Sequence, residues 1–176
     1  MATNARLHLS FFLLIWAGLA CGYRLSDPKQ VFGPDVRRIR IELLENKSAE
    51  PGFERMLGDA LVEEFTRRGV LVPVYGRGPG LADLILSGVV REVEVIPSAF
   101  SSASLALEDT LNVTVELTVA NAATREEVWR RNTLHVSERF VSSADPNTAQ
   151  SNKELALLRV SASLAGRIHD ELFQKF

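Results

Sequence analysis

The stretch "LNVTVELTV", residues 111–119, restricts the possible folds more than any other part of the chain. Leu111, Val113, Val115, Leu117 and Val119 alternate with Asn112, Thr114, Glu116 and Thr118. A period of two sends the apolar side chains to one face and the polar ones to the other, which defines a strand with one covered and one wet face. A sheet built on it must bury its apolar face under another layer.

Two segments have the periodicity to supply that layer. Phe53, Met56, Leu57, Ala60, Leu61 and Phe65 recur at helical spacing, with Glu50 and Glu54 near one end and Arg67, Arg68 and Gly69 at the other. Those flanks match the helix dipole and a glycine stop. In "KELALLRVSASLAGRIHDELFQKF", Leu157, Val160, Leu164, Ile168 and Leu172 form a second stripe. Ala162, Ala165 and Gly166 beside it permit close packing on a sheet, and Ser151 or Asn152 is the expected N-cap.

Three further segments read as strands. "VRRIRIELLEN" alternates, with Ile39, Ile41 and Leu43 turned inward. "LADLILSGVVREVEVIP" changes phase near Ser87-Gly88, which suggests a bulge, and Pro97 marks its end. "VWRRNTLHVSERF" supplies the last. The expected fold is α+β: a four-stranded, mainly antiparallel sheet with two helices on one face, in the order strand-helix-strand-strand-strand-helix. "SAFSSASLALEDT" either continues two strands as a long hairpin or forms a contact loop. Ser98, Phe100, Ser101 and Ser102 in it are the candidate partner contacts.

Few signals of chemistry are present. The net charge is -2 with 46% hydrophobic residues. That suits a globular domain and argues against nucleic acid as a partner, since phosphate neutralisation needs clustered Lys and Arg. One cysteine rules out an internal disulfide and a cysteine-based zinc site. The three histidines are scattered, and His135 has no second ligand at metal spacing. "GRGPG" lacks the Gly-Lys-Ser/Thr of a phosphate loop, so it reads as a turn. No serine lies in a nucleophile motif. The expectation is no enzyme, no metal and no cofactor. Arg37, Arg38 and Arg91 lie on strands and read as solvated structure.

The opening segment has its own logic. Arg6 and His8 precede an apolar run, Leu9 to Ala20, that is too short for a hydrocarbon core needing roughly 20 residues. It has the n-region and h-region of a secretory signal. Cys21 then has three readings: a buried thiol, a free thiol after ordinary cleavage, or a lipidated first residue. "LAC" resembles the bacterial lipobox, although Gly18 stands where leucine is usual. On that resemblance, residues 1–20 are a signal peptide, 21–35 a lipidated N-terminus and tether, and 36–176 a single α+β domain. Several acyl chains hold a protein durably on a membrane. Gly22 after the cysteine resembles the outer-membrane sorting pattern of enteric bacteria.

A lipobox running into "CGYRL", a strand ending in "ELLEN", an amphipathic helix, "ADLILSGVV" and a long closing helix together resemble the lipopolysaccharide-assembly lipoproteins (LptE-like). The resemblance implies a lipid-anchored protein at the periplasmic face of the outer membrane. It further implies a plug and assembly scaffold for the β-barrel that inserts lipopolysaccharide into the outer leaflet, without catalysis. Lipopolysaccharide itself is a possible ligand, but no Lys or Arg occurs between Glu92 and Thr124 or between Phe140 and Asn152. The loops therefore offer no cation for its phosphates. The alternative is a periplasmic lipoprotein that regulates a cell-wall (peptidoglycan) synthase. A tether of thirteen residues, Gly22 to Pro34, spans at most about 45 Å, and that short reach favours a membrane-embedded partner.

Overall fold

The computed structural model describes residues 31–33, 35–76, 78–100 and 106–173. The elements are β1 (Arg38–Ile41), β2 (Glu45–Asn46), α1 (Phe53–Arg68), β3 (Val72–Pro73), β4 (Leu84–Phe100), β5 (Ala106–Asn121), β6 (Glu127–Val141) and α2 (Pro146–Phe173). They form an α+β fold with one mixed sheet in the order β3-β1-β4-β5-β6, and β2 also pairs with β4.

This corrects the expected four-stranded, mainly antiparallel sheet. Two extra strands of two residues each, β2 and β3, complete the sheet, and β1 runs parallel to both β3 and β4. The parallel pairing has a physical cause. The chain leaves β1, crosses over through α1 and returns beside it as β3, and such a crossover yields parallel neighbours. The meander from β4 to β6 is antiparallel, as expected.

One apolar core lies between the sheet and the helices. Leu111, Val113, Val115, Leu117 and Val119 of β5 are all buried, as the alternation requires. Against them pack Phe53, Leu57, Leu61 and Phe65 of α1 and Leu157, Val160, Leu164, Ile168 and Leu172 of α2. Met56 and Ala60 are only partly covered at the margin. Gly69 ends α1 in the left-handed region, φ 66°, where its N–H bonds Phe65 O at 3.0 Å. Ala165 is buried, whereas Ala162 is exposed. Gly166 faces α1, because an added Cβ would lie 3.7 Å from Glu64 Oε1.

The second helix starts earlier than expected. Asp145 is its N-cap, accepting from Thr148 N at 2.8 Å and Thr148 Oγ1 at 2.7 Å, and Pro146 opens the first turn. Asp-Pro reads as a loop in sequence, yet Asp suits the cap and Pro suits the first helical position, where no N–H is needed. Asn152 is instead well inside the helix and donates from Nδ2 to Val141 O, 3.0 Å, tying α2 to the end of β6.

In β4 the register shift falls between Val90 and Glu92 and not at Ser87-Gly88. Gly88 has a different job. A Cβ there would stand 2.3 Å from the Glu116 carbonyl oxygen and 2.8 Å from Leu117 Cδ2, so only glycine lets β4 and β5 approach. Pro97 also does not end β4; the ladder shifts register there and continues to Phe100 opposite Ala106.

Candidate functional site

The meander divides the sheet into two ends of different character. At one end Asp83, just before β4, fixes the start of β1. Its Oδ2 accepts from Arg37 N at 3.0 Å and Arg38 N at 2.9 Å, and its Oδ1 accepts from Arg38 Nη2 at 2.7 Å. The Arg38 guanidinium, aided by those backbone donors, holds the Asp83 carboxyl down at about 2. Arg38 also reaches Gly80 O at 2.8 Å, so a side chain pins the turn at Gly80.

At the other end the sheet outruns its cover. Glu94, Val95, Ile96, Pro97 and Ser98 are consecutive on β4 and all exposed, so both faces of the strand are open there. Ile96 is 42% exposed and Val141 64%, both large apolar side chains. β4 and β5 pair antiparallel from Leu84↔Asn121 out to Phe100↔Ala106. The strands thus continue into the segment from both sides, as the hairpin reading expects, and residues 101–105 lie outside the described residues.

Of the candidate contacts, Ser98 lies on this projecting arm, and its hydroxyl donates to Glu108 O at 3.2 Å. Phe100 is the last residue of β4; its side chain, and Ser101 and Ser102, lie outside the described residues. Cys21 and the signal and tether readings also fall outside them.

The electrostatics of the projecting end are one-sided. Glu92, Glu94, Glu108 and Asp109 stand on it without an ion-pair partner among the described residues. Arg139, opposite Thr110, is the nearest cation on the neighbouring strand. Such a surface repels phosphate. Behind it the wet face carries a polar chain: Ser137 Oγ donates to Asn112 Oδ1 at 2.7 Å, and His135 lies 3.1 Å from Ser137 Oγ and 3.3 Å from Thr114 Oγ1. His135 is thus a surface strand residue, and no group of metal-ligating side chains occurs among the described residues. Arg91 pairs with Glu116 at 2.6 Å, and Arg38 with Asp83, which gives both the structural role expected of them.

The covered face is fastened by ion pairs from α2. Arg159 meets Glu138 at 2.6 Å and Arg131 meets Glu171 at 2.9 Å, so α2 is tied to β6 at the middle of the helix and near its C-terminal end. Glu64, nearly buried on α1, accepts from Arg67 Nη2 at 2.6 Å and Arg68 Nε at 2.6 Å.

This architecture has relatives. The family model described as Lipopolysaccharide-assembly (LptE) matches residues 36–172. The chain belongs to the LptE family. An uncharacterized lipoprotein B from Nitrosomonas europaea superposes with a TM-score of 0.54 at 15% identity, covering 79% of this chain and 81% of its own. A minor lipoprotein from Acinetobacter baumannii gives 0.52 at 20%, covering 80% and 93%. The rare lipoprotein B from Shewanella oneidensis gives 0.51 at 13%, covering 76% and 92%. At these identities the likeness is one of fold. No curated protein matches the chain in sequence. The two-helix, mixed-sheet arrangement is thus the LptE-family fold, and the chain is an LptE-family lipopolysaccharide-assembly protein.

Proposed function

We propose that this LptE-family protein is an outer-membrane lipoprotein, anchored through Cys21 at the periplasmic face. There it serves as plug and assembly scaffold for the β-barrel that inserts lipopolysaccharide into the outer leaflet. It performs no catalysis; its work is to fill and template. The observation that supports this most is the arm from Glu94 to Ser98, exposed on both faces and carrying Val95 and Ile96. Strand pairs that project beyond a core are marginal in water and gain from a partner. Polar wet-face side chains such as Asn112, Thr114 and Ser137 suit the hydrated lumen of a large barrel. The solved relatives named above are themselves called lipoproteins, in keeping with an anchored chain.

The contact to lipopolysaccharide is assigned to the barrel and not to this arm, whose carboxylates would oppose lipid phosphates. Purification of the full chain from detergent-solubilised membranes tests the reading. It should bring down a large outer-membrane barrel in stoichiometric amount, and Cys21→Ala should abolish incorporation of labelled palmitate. Recovery of a cell-wall synthase with no barrel would replace this reading by the regulator alternative.

A further inference from the structure

Pairing on the outer side of β4 stops where β2 ends. The last bond there is Lys47 N to Val90 O, 2.9 Å. From Arg91 onward no described residue pairs with that side, while the inner side stays paired to β5 out to Phe100.

The ladder says which backbone groups this leaves open. Opposed residues of an antiparallel pair alternate between two classes: those that bond each other, and those whose N–H and C=O point away from each other. Leu86 and Val90 belong to the second class, since their carbonyls accept from Glu42 N and Lys47 N on the outer side, each at 2.9 Å. They oppose Val119 and Val115 of β5; Val113 and Leu111 continue the same parity, and Val93 and Val95 oppose these. Arg91 is the extra residue of the bulge and moves the outward class from even to odd numbers. Val93 and Val95 therefore turn their N–H and C=O groups outward, away from β5.

The open rung is short and bounded. Register shifts lie between Val90 and Glu92 and between Pro97 and Ala99, and Pro97 has no N–H to offer. Bulges and proline are the devices that blunt sheet edges, and here they flank Glu92–Ile96 without covering it. Its wet face carries Glu92 and Glu94, opposite Thr114 and Asn112, so no cation faces them across the sheet. Its other face carries Val93, half-buried, and Val95, 37% exposed.

We propose that the Glu92–Ile96 edge of β4 accepts an added β-strand from a partner protein, an extended segment in which Lys or Arg alternates with apolar residues. The backbone of Val93 and Val95 supplies the hydrogen bonds, the basic residues meet Glu92 and Glu94, and the apolar ones cover Val95. A second copy of this chain is a poor occupant, because β4 against β4 about this rung sets Glu92 and Glu94 against their own kind. A closed barrel wall has no free edge, so the segment comes from a loop or terminus of the partner. This contact does not depend on the barrel reading and stands if that reading fails.

The test uses the full chain in detergent and two synthetic peptides, one alternating Lys with Val and one alternating Glu with Val. The basic peptide should slow amide exchange at Val93 and Val95 by about tenfold or more, as new backbone hydrogen bonds require, and the acidic one should not. In Glu92→Lys/Glu94→Lys, altered only at exposed positions, the preference should reverse. Val95→Pro, which removes an outward N–H, should weaken binding in a protein of unchanged circular dichroism. Binding without protection of those two amides, or no binding of the basic peptide, overturns the proposal. So does protection that appears without peptide and grows with protein concentration, which would assign the edge to a second copy.

Discussion

Replacing His169 by phenylalanine should stabilise this protein and flatten its response to acid. His169 lies on α2, 4% exposed, with its ring centroid 5.1 Å from Phe65 and 4.7 Å from Phe173. Among the described residues neither ring nitrogen has a hydrogen-bond partner, and Asp170 Oδ1 lies 3.9 Å from Nδ1. Burial, reinforced by the nearby positive charge of Arg68, pulls its pKa down to about 4, against the opposing pull of Asp170 and Glu64. The folded state therefore resists the proton that the unfolded chain accepts near its ordinary value of about 6.5. The folded pKa is depressed for a base, so this penalty is absent well above pH 6.5 and grows as pH falls toward 4. Linkage across that gap gives a loss of about 2 kcal/mol between pH 7.5 and pH 5, and about 3 kcal/mol by pH 4. Phenylalanine fits among Phe65 and Phe173 and removes two orphaned polar atoms, worth a further ~1 kcal/mol even at neutral pH. Urea denaturation of both proteins at pH 7.5 and pH 5 reads these quantities directly. A variant that is less stable at pH 7.5, or that keeps the wild-type acid slope, would refute the assignment of that slope to His169.

Two other positions test the frame that carries the projecting arm. Asp83→Asn removes the charge that gathers Arg37 N, Arg38 N and the Arg38 guanidinium; allowing for solvent screening, it should cost about 1–2 kcal/mol at pH 7. The Asp83 carboxyl is held at about 2, below its ordinary range, so its contribution is full above pH 4 and fades as pH falls through 2. The deficit of the variant should shrink in the same interval, measured by thermal unfolding between pH 2 and pH 7. Gly88→Ala places a methyl group 2.3 Å from the Glu116 carbonyl, so β4 and β5 must part at the centre of the sheet. A loss of about 1–3 kcal/mol is expected from such overpacking, and an unchanged urea midpoint would show that the strands yield freely.

The legible parts of this fold are those written in local periodicity. The alternation of 111–119 and the stripe Leu157, Val160, Leu164, Ile168, Leu172 each name their own buried face, and each is buried in the structure. β2 and β3 have two residues apiece and no periodicity to read. The parallel pairing of β1 belongs to the crossover through α1 and to no local pattern. In β4, buried Ile85 interrupts the alternation and blurs the phase, so the pattern points to a bulge near Gly88 whereas the bulge lies at Arg91. The candidate site divides in the same way. Ser98 was marked by the small, polar composition around it and is exposed on the arm. The open rung at Val93 and Val95 depends on where a two-residue strand stops, and Asp83 depends on donors 45 and 46 positions away. Neither is visible in any short window of sequence.

In the function proposed above, the arm at the β4–β5 end sits against an outer-membrane β-barrel. Site-specific photo-cross-linking in living cells tests it most directly, with a photoreactive residue at Ser98 on the arm and, as the contrast, at Arg125 in the β5–β6 turn at the opposite end. A single large adduct is expected from Ser98, identified by mass spectrometry as an outer-membrane barrel. Adducts to such a barrel from Arg125 alone, or adducts from Ser98 only to a soluble or cell-wall enzyme, would contradict it.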